Sequence, residues 1–285
     1  MTVVVLGASG AVGAWACEHL VEPGGAAVRV DSAGPADHRC DVLAPTAAAH
    51  DAVAAAHLVV LALPQPVVAG CLEWVLAASA PAAPVVTTCS VQGPVFDHPA
   101  VAGAGRELLG VNPLFSPTLS HAGRSVALVS TGPGPGADLV HARLRAGEMV
   151  VEPLSPEVHD TALSYLQALP HAAVLGFLTT LAQAPVDPAT LARLAPPPAR
   201  TMLALASRIL TGAPEVYWDI QHGNPGAAAR RHELRASLAT LDSAVAAGLD
   251  QFCALLSAPT ARLSEQVAVG ADDCAVLFDA LGGAS

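Results

Sequence analysis

The run Gly7-Ala8-Ser9-Gly10-Ala11-Val12-Gly13 places glycine at every third position in this 285-residue chain. It follows Val3-Val4-Val5-Leu6 directly and leads into a helical stretch that ends near Leu20. Small residues at such a bend let the backbone turn tightly and approach a pyrophosphate, which rests on the amides of a helix N-terminus. Asp31 stands 18 residues past Gly13, at the end of a second apolar run, Ala26 to Val30. A carboxylate there accepts hydrogen bonds from the adenosine ribose hydroxyls and repels a 2′-phosphate, so the layout favours NAD over NADP. The spacing is GxxGxxG, with Ala8 where the dinucleotide fingerprint GxGxxG starts on glycine. Gly7-Ala8-Ser9-Gly10 also looks like a hydrolase nucleophile elbow, but Ala11 breaks that pattern and no earlier strand supplies an oxyanion loop.

A second set of chemically able residues sits in four later segments. They are Thr87-Thr88-Cys89-Ser90-Val91-Gln92-Gly93-Pro94 and Gly110-Val111-Asn112-Pro113-Leu114-Phe115-Ser116-Pro117. The third is His159-Asp160 followed by Gln167-Ala168-Leu169-Pro170-His171-Ala172. The fourth runs from Arg200 to Arg208 and continues in Glu215-Val216-Tyr217-Trp218-Asp219-Ile220. Arg200 and Arg208 are eight residues apart on an expected helix, slightly over two turns, and so share a face. His159 and Asp160 stand at an expected helix start, where Asp160 suits the helix dipole.

These residues need a scaffold, and the pattern of apolar runs indicates one. Up to residue 154, short β-branched runs alternate with Ala/Leu-rich helical stretches. His57–Leu63 reads as a central strand closed by Pro64, and Leu63, Pro64 and Ser90 are assigned to the cofactor site with Gly7–Gly13 and Asp31. Pro84–Thr88, Ser125–Ser130 and the edge run Met149–Pro153 read as further strands. Such alternation predicts a mostly parallel, Rossmann-type sheet with helices on both faces. Beyond residue 155 the chain reads as all-α, with helices over 157–184, 201–212, 227–258 and 260–280. Proline clusters at 185–188 and 196–198 separate them, and the Gly-rich last four residues read as disordered. The expected domains are therefore 1–154, dinucleotide-binding, and 155–285, helical.

Composition narrows the partners. A net charge of −11 offers no basic stripe for nucleic acid. No run approaches 18 uninterrupted apolar residues and no basic region precedes an apolar core at the N-terminus, so neither a membrane span nor a secretory signal is expected. Six cysteines show neither CxxC pairing nor zinc spacing, which fits buried thiols of a cytoplasmic protein without a metal site. All 13 basic residues are arginine. Schiff-base chemistry and a Walker lysine are thus excluded, and an anionic substrate must be held by arginine, histidine or backbone amides.

Taken in order and spacing, the four segments resemble the prephenate dehydrogenase family over roughly residues 3–225. The HD…QALPHA and EVYWDI blocks are the most specific parts. The resemblance implies an NAD-binding domain coupled to a helical dimerisation domain, forming a homodimer. It also implies oxidation of a cyclohexadiene dicarboxylate, with loss of carbon dioxide to leave an aromatic ring. Arg208 then grips a substrate carboxylate, Arg200 lies nearby, and Gln167 and His171 lie beside the substrate. Ser90 orients the catalytic group and the group at ring C4. Guanidinium groups suit two carboxylates through paired, charge-assisted hydrogen bonds.

Two positions depart from the family pattern, and Asn112 is the one that bears on the chemistry. Asn112 stands where the family carries the histidine that draws off the C4 hydroxyl proton, and Gln92 replaces a lysine common in its loop. Asparagine orients a donor through its carbonyl oxygen but cannot take a proton. A C4 amino group removes that need, because hydride loss leaves an iminium far less acidic than a protonated ketone. The expected substrate is 4-amino-4-deoxyprephenate, giving 4-aminophenylpyruvate. An ordinary prephenate or arogenate dehydrogenase and a non-catalytic NAD-binding regulator remain as alternatives.

Overall fold

The computed structural model describes residues 1–102 and 105–282, so the last three of the four Gly-rich terminal residues lie outside it. The chain forms two compact units, Met1–Leu163 and Ser164–Ser285. The first holds eight strands: β1 (Thr2–Leu6), β2 (Ala26–Asp31), β3 (His38–Arg39), β4 (Leu58–Leu61), β5 (Val85–Thr87), β6 (Leu108–Pro113), β7 (Ser125–Val129) and β8 (Val150–Leu154). Its helices are α1 (Ala11–His19), α2 (Ala47–Ala54), α3 (Gln65–Ala78), α4 (Gly93–Phe96), α5 (Pro135–Ala146) and α6 (Pro156–Leu163).

The strands make one sheet in the order β3-β2-β1-β4-β5-β6-β7-β8. Every neighbouring pair is parallel except β6 and β7. The reason lies in the side chains of the central strands. Val4, Leu6, Val59 and Leu61 pack into the core on one face, while Val3, Val5, Leu58 and Val60 pack into the core on the other. Consecutive residues of a strand point to opposite faces, so an unbroken apolar run demands cover on both sides. The chain order reverses between β1 and β4, and in doubly wound sheets ligands bind outside the carboxyl ends of the strands at that reversal.

The second unit is helical: α7 (Leu169–Leu181), α8 (Pro188–Leu194), α9 (Pro197–Thr211), α10 (Pro214–Trp218), α11 (Ala227–Ala247), α12 (Leu249–Arg262) and α13 (Ser264–Gly282). Two π turns, Ser164–Ala168 and Asp219–Gly223, precede α7 and follow α10. The helix expected over 227–258 is broken at Gly248, whose φ of 110° leaves the right-handed helical region. Consequently α12 runs on to Arg262 and α13 begins at Ser264. The run expected over 157–184 is interrupted by the first π turn, and α8 occupies part of the stretch read as a separator between proline clusters. The boundary also differs from the 154/155 expectation: α6 belongs to the first unit, where its buried polar residues are bonded. By length and composition alone, the helical run Pro156–Leu181 could span a bilayer.

Candidate active site

Gly7 leaves β1 at φ 83°, a conformation glycine adopts at no steric cost. A Cβ on Gly7 would collide with the Ala62 carbonyl, and one on Gly13 would collide with the Gly7 carbonyl. A Cβ on Gly10 would meet nothing closer than the Gly7 oxygen at 3.6 Å. Gly7 and Gly13 thus hold the tight turn, and Gly10 leaves open space beside the backbone. Gly10 also caps α1 without a side-chain cap, and among the described residues no side chain bonds the amides of Ala11, Val12 and Gly13. Such amides form an anion site. Leu63 lies against Gly7, at the end of β4, and Pro64 caps α3.

Asp31 ends β2 beside this loop. Its carboxylate accepts from the Ser9 amide at 2.8 Å and from the Ala33 amide at 3.0 Å. The Ser9 hydroxyl donates to the carbonyls of Ala33 and Pro35, at 2.9 and 3.1 Å. A carboxylate has about four acceptor positions, so the two amide bonds leave capacity for a ribose diol. The glycine cradle, the uncapped helix start and Asp31 therefore fit the pyrophosphate and adenosine ribose of NAD.

Two adjacent parallel strands, β5 and β6, bring the next residues to the same carboxyl end of the sheet. Ser90 follows β5, and Asn112 lies near the end of β6, only 4% exposed. Asn112 Nδ2 is 3.1 Å from His159 Nε2, and His159 Nδ1 is 2.7 Å from Asp160 Oδ1. Both α6 residues are buried, at 0% and 3% exposure. Asp160 also accepts from the Gln92 amide at 2.9 Å and the Gly93 amide at 2.7 Å, fastening the start of α4. Gln92 is fully buried; its Nε2 donates to the Cys89 carbonyl at 2.6 Å. Its Oε1 leans over Gly110 and, among the described residues, has no hydrogen-bond partner.

Sequence reasoning assigned His159 and Asp160 a helix-start role and did not connect them to Asn112. The available signal was the His-Asp pair itself, two polar residues in an apolar helix. Nothing local indicated which strand they would meet 47 residues earlier.

The second unit gathers its own polar cluster. Arg208 is exposed on α9 and, among the described residues, forms no ion pair. Tyr217 donates from its hydroxyl to the Arg208 carbonyl at 3.2 Å, and its ring meets the His171 ring edge-on at 5.1 Å. His171 Nδ1 is buried with no hydrogen-bond partner among the described residues. Burial, with the Arg208 charge as a smaller cause, holds the His171 imidazole below its ordinary pKa, favouring the neutral ring. Tyr217 is the residue of this cluster that the sequence left without a role. Among the described residues, Arg200 and Gln167 make no side-chain hydrogen bond or ion pair; Arg200 shares α9 with Arg208, and Gln167 lies in the first π turn.

Known proteins give these clusters context. Residues 155–257 match the family described as prephenate dehydrogenase, dimerization domain. A curated protein of Streptomyces pristinaespiralis named 4-amino-4-deoxyprephenate dehydrogenase is 40% identical over 286 residues, covering 98% of this chain and 96% of its own length. Synechocystis arogenate dehydrogenase is similar in structure with a TM-score of 0.70 at 17% identity, over 96% of this chain and 99% of its own. Prephenate dehydrogenase from A. aeolicus, solved with hydroxyphenyl propionate and NAD+, gives a TM-score of 0.69 at 18% identity, over 96% and 98% of the two chains. At such identity the two solved structures establish the fold.

Proposed function

Since the chain belongs to the prephenate dehydrogenase family, we propose that it oxidises and decarboxylates 4-amino-4-deoxyprephenate to 4-aminophenylpyruvate, with NAD as hydride acceptor. The observation that carries the substrate assignment is Asn112, a residue unable to accept a proton, where a hydroxyl substrate needs a base. The name of the 40% identical relative points the same way.

NAD, when bound, supplies the hydride acceptor. Gly7–Gly13 hold its pyrophosphate against the start of α1, and Asp31 holds the adenosine ribose. The substrate loses hydride from C4 as the nitrogen lone pair forms a C=N bond. The bond from C1 to the carboxylate then breaks, carbon dioxide leaves, and its electron pair restores the ring and the neutral arylamine. No proton need depart from nitrogen at any stage, so an amide in place of an imidazole suffices. Asn112 accepts an N–H hydrogen bond and stabilises the growing positive charge with its carbonyl dipole. Ser90 helps align the amine. Arg208 binds a substrate carboxylate, with Arg200, Gln167 and His171 as further substrate residues.

This reading includes a homodimer through the second unit, whose helices expose Leu238, Val245, Leu249, Val269 and Val276. The cysteines, none of them in a disulfide among the described residues, suit a reducing compartment, and the reading places the enzyme in the cytoplasm.

The test is NADH absorbance with purified protein and NAD, offered prephenate, arogenate and 4-amino-4-deoxyprephenate in parallel. Fast turnover of the amino compound alone is the expected result. Comparable turnover of prephenate would return the protein to the hydroxyl substrates, and silence with all three would favour a non-catalytic role.

A further inference from the structure

We infer that His159, held by Asp160, is a positioning residue that dictates which end of the Asn112 amide meets the C4 nitrogen. The inference rests on the proposed substrate and explains how an asparagine, whose two ends are opposite in hydrogen-bonding character, presents only one of them.

The chain of hydrogen bonds starts at Asp160. Both of its oxygens accept backbone N–H bonds, Oδ1 from Gln92 at 2.9 Å and Oδ2 from Gly93 at 2.7 Å. The contact at 2.7 Å between Oδ1 and His159 Nδ1 therefore needs the ring to donate from Nδ1. A neutral imidazole that donates from Nδ1 has a lone pair on Nε2. It is Asn112 Nδ2 that meets Nε2, at 3.1 Å, and an NH2 group there needs the Nε2 lone pair of a ring that donates from Nδ1 alone. Asn112 Oδ1 takes no hydrogen bond among the described residues, and it is the end left for substrate. With both groups buried, the imidazole at 0% exposure and the amide at 4%, water cannot compete to reverse the order.

The consequence is chemical. An amine at C4 offers N–H groups and then becomes a cation; a carbonyl oxygen pairs with both states, whereas an NH2 group would oppose the cation. Reversing Asn112 would place a donor against a donor. Asp160 and His159 thus serve selectivity through Asn112 without touching substrate.

Two variants and one spectrum test this. Steady-state kinetics with 4-amino-4-deoxyprephenate and NAD binding by fluorescence are measured for the native enzyme, His159→Phe and His159→Gln. His159→Phe removes both ring nitrogens and should lower kcat by roughly 100-fold, with KM and NAD affinity within about threefold of native, the scale of losing one aligned dipole at developing charge. Glutamine, like neutral imidazole, has one donor end and one acceptor end, so His159→Gln should recover at least about a tenth of native kcat. Near-native kcat in His159→Phe, or equal loss in both variants with NAD binding intact, would overturn the inference. Should the variants fail to bind NAD, the native protein decides by NMR. The chain has only two asparagines, Asn112 and Asn224, so labelling asparagine and histidine with 15N isolates the amide. A scalar coupling across the bond from Asn112 Nδ2 to His159 Nε2 is expected; a proton on His159 Nε2 and no coupling would overturn the orientation. If the native enzyme ignores the amino substrate, the substrate reading fails, while the NMR result still decides the orientation by itself.

Discussion

Asn112 concentrates the choice between an amino and a hydroxyl substrate into one side chain. Replacing it with histidine restores a proton acceptor to the end of β6, beside His159. Asn112→His should gain measurable turnover of prephenate and lose roughly 100-fold in kcat/KM for 4-amino-4-deoxyprephenate, read as NADH formation with each substrate. Failure to gain any prephenate turnover, with NAD affinity unchanged, would show that the missing base is not what excludes the hydroxyl. His171 makes a different prediction at the same scale. Burial, and then the Arg208 charge, lower its pKa in the folded protein, so the unfolded chain binds a proton first as pH falls. Its contribution to stability is therefore present above the ordinary imidazole value, about 6.5, and is lost as pH falls below it. The urea midpoint should drop more between pH 7.5 and 5.5 in the native protein than in His171→Phe. Equal drops would remove His171 from the acid sensitivity.

At the scale of elements, the active end of the sheet depends on how closely β6 passes the segment after β5. Gly110 lies under the Gln92 amide, and any Cβ there would collide with Gln92 Oε1 and Cδ. Gln92 cannot retreat freely, because its Nε2 is bonded to the Cys89 carbonyl and its backbone amide to Asp160. Gly110→Ala should then cost about 1–3 kcal/mol, the usual cost of overpacking a filled interior, and lower kcat through displaced Asn112. Urea unfolding reads the first effect and NADH formation the second, while NAD affinity should stay within about threefold because the glycine loop belongs to β1 and α1. A fully active, fully stable Gly110→Ala would mean that Gln92 has room the packing does not show. The substitution of Gln92 for the family lysine belongs here too: the position is fully buried and bonded to backbone, a setting that suits a neutral amide better than an ammonium.

The whole molecule consists of a sheet unit with a thick two-sided core and a helical unit with a small one. The first buries long lists of valine and leucine on both faces of the sheet. In the second, the buried apolar residues among those described are Ala168, Val174, Ala206, Ile220 and Ala227, while Val276 is 70% exposed and Leu277 51%. Apolar helices that leave this much surface uncovered call for a partner, and the family match over 155–257 is to a dimerization domain. Val276→Glu, on α13, should shift the protein from twice the chain mass toward one chain mass in light scattering and lower its melting temperature. Unchanged mass and melting temperature would place the dimer contact on other helices.

The sheet unit and its cofactor were legible in the residues alone, because each depends on local pattern, whereas the substrate class came through the family resemblance of the four later segments. Central strands buried on both faces must be unbroken apolar runs, and a pyrophosphate turn must be built from small residues. The helical unit was legible as helical, but the break at Gly248 was not, since a single glycine inside a long apolar run gives no sign that it will take a positive φ. Asn112 was visible as a departure, whereas its partner was not. The bond from Asn112 to His159 joins residues 47 apart, and the amides that fasten Asp160 are 67 and 68 residues away. Such pairings depend on strand order and on how α6 packs, which no short-range pattern encodes. The same holds for Arg208, His171 and Tyr217, whose grouping was decided by helix packing in the second unit. Residue type determined what each side chain could do; the tertiary structure decided which of its two ends was left to do it.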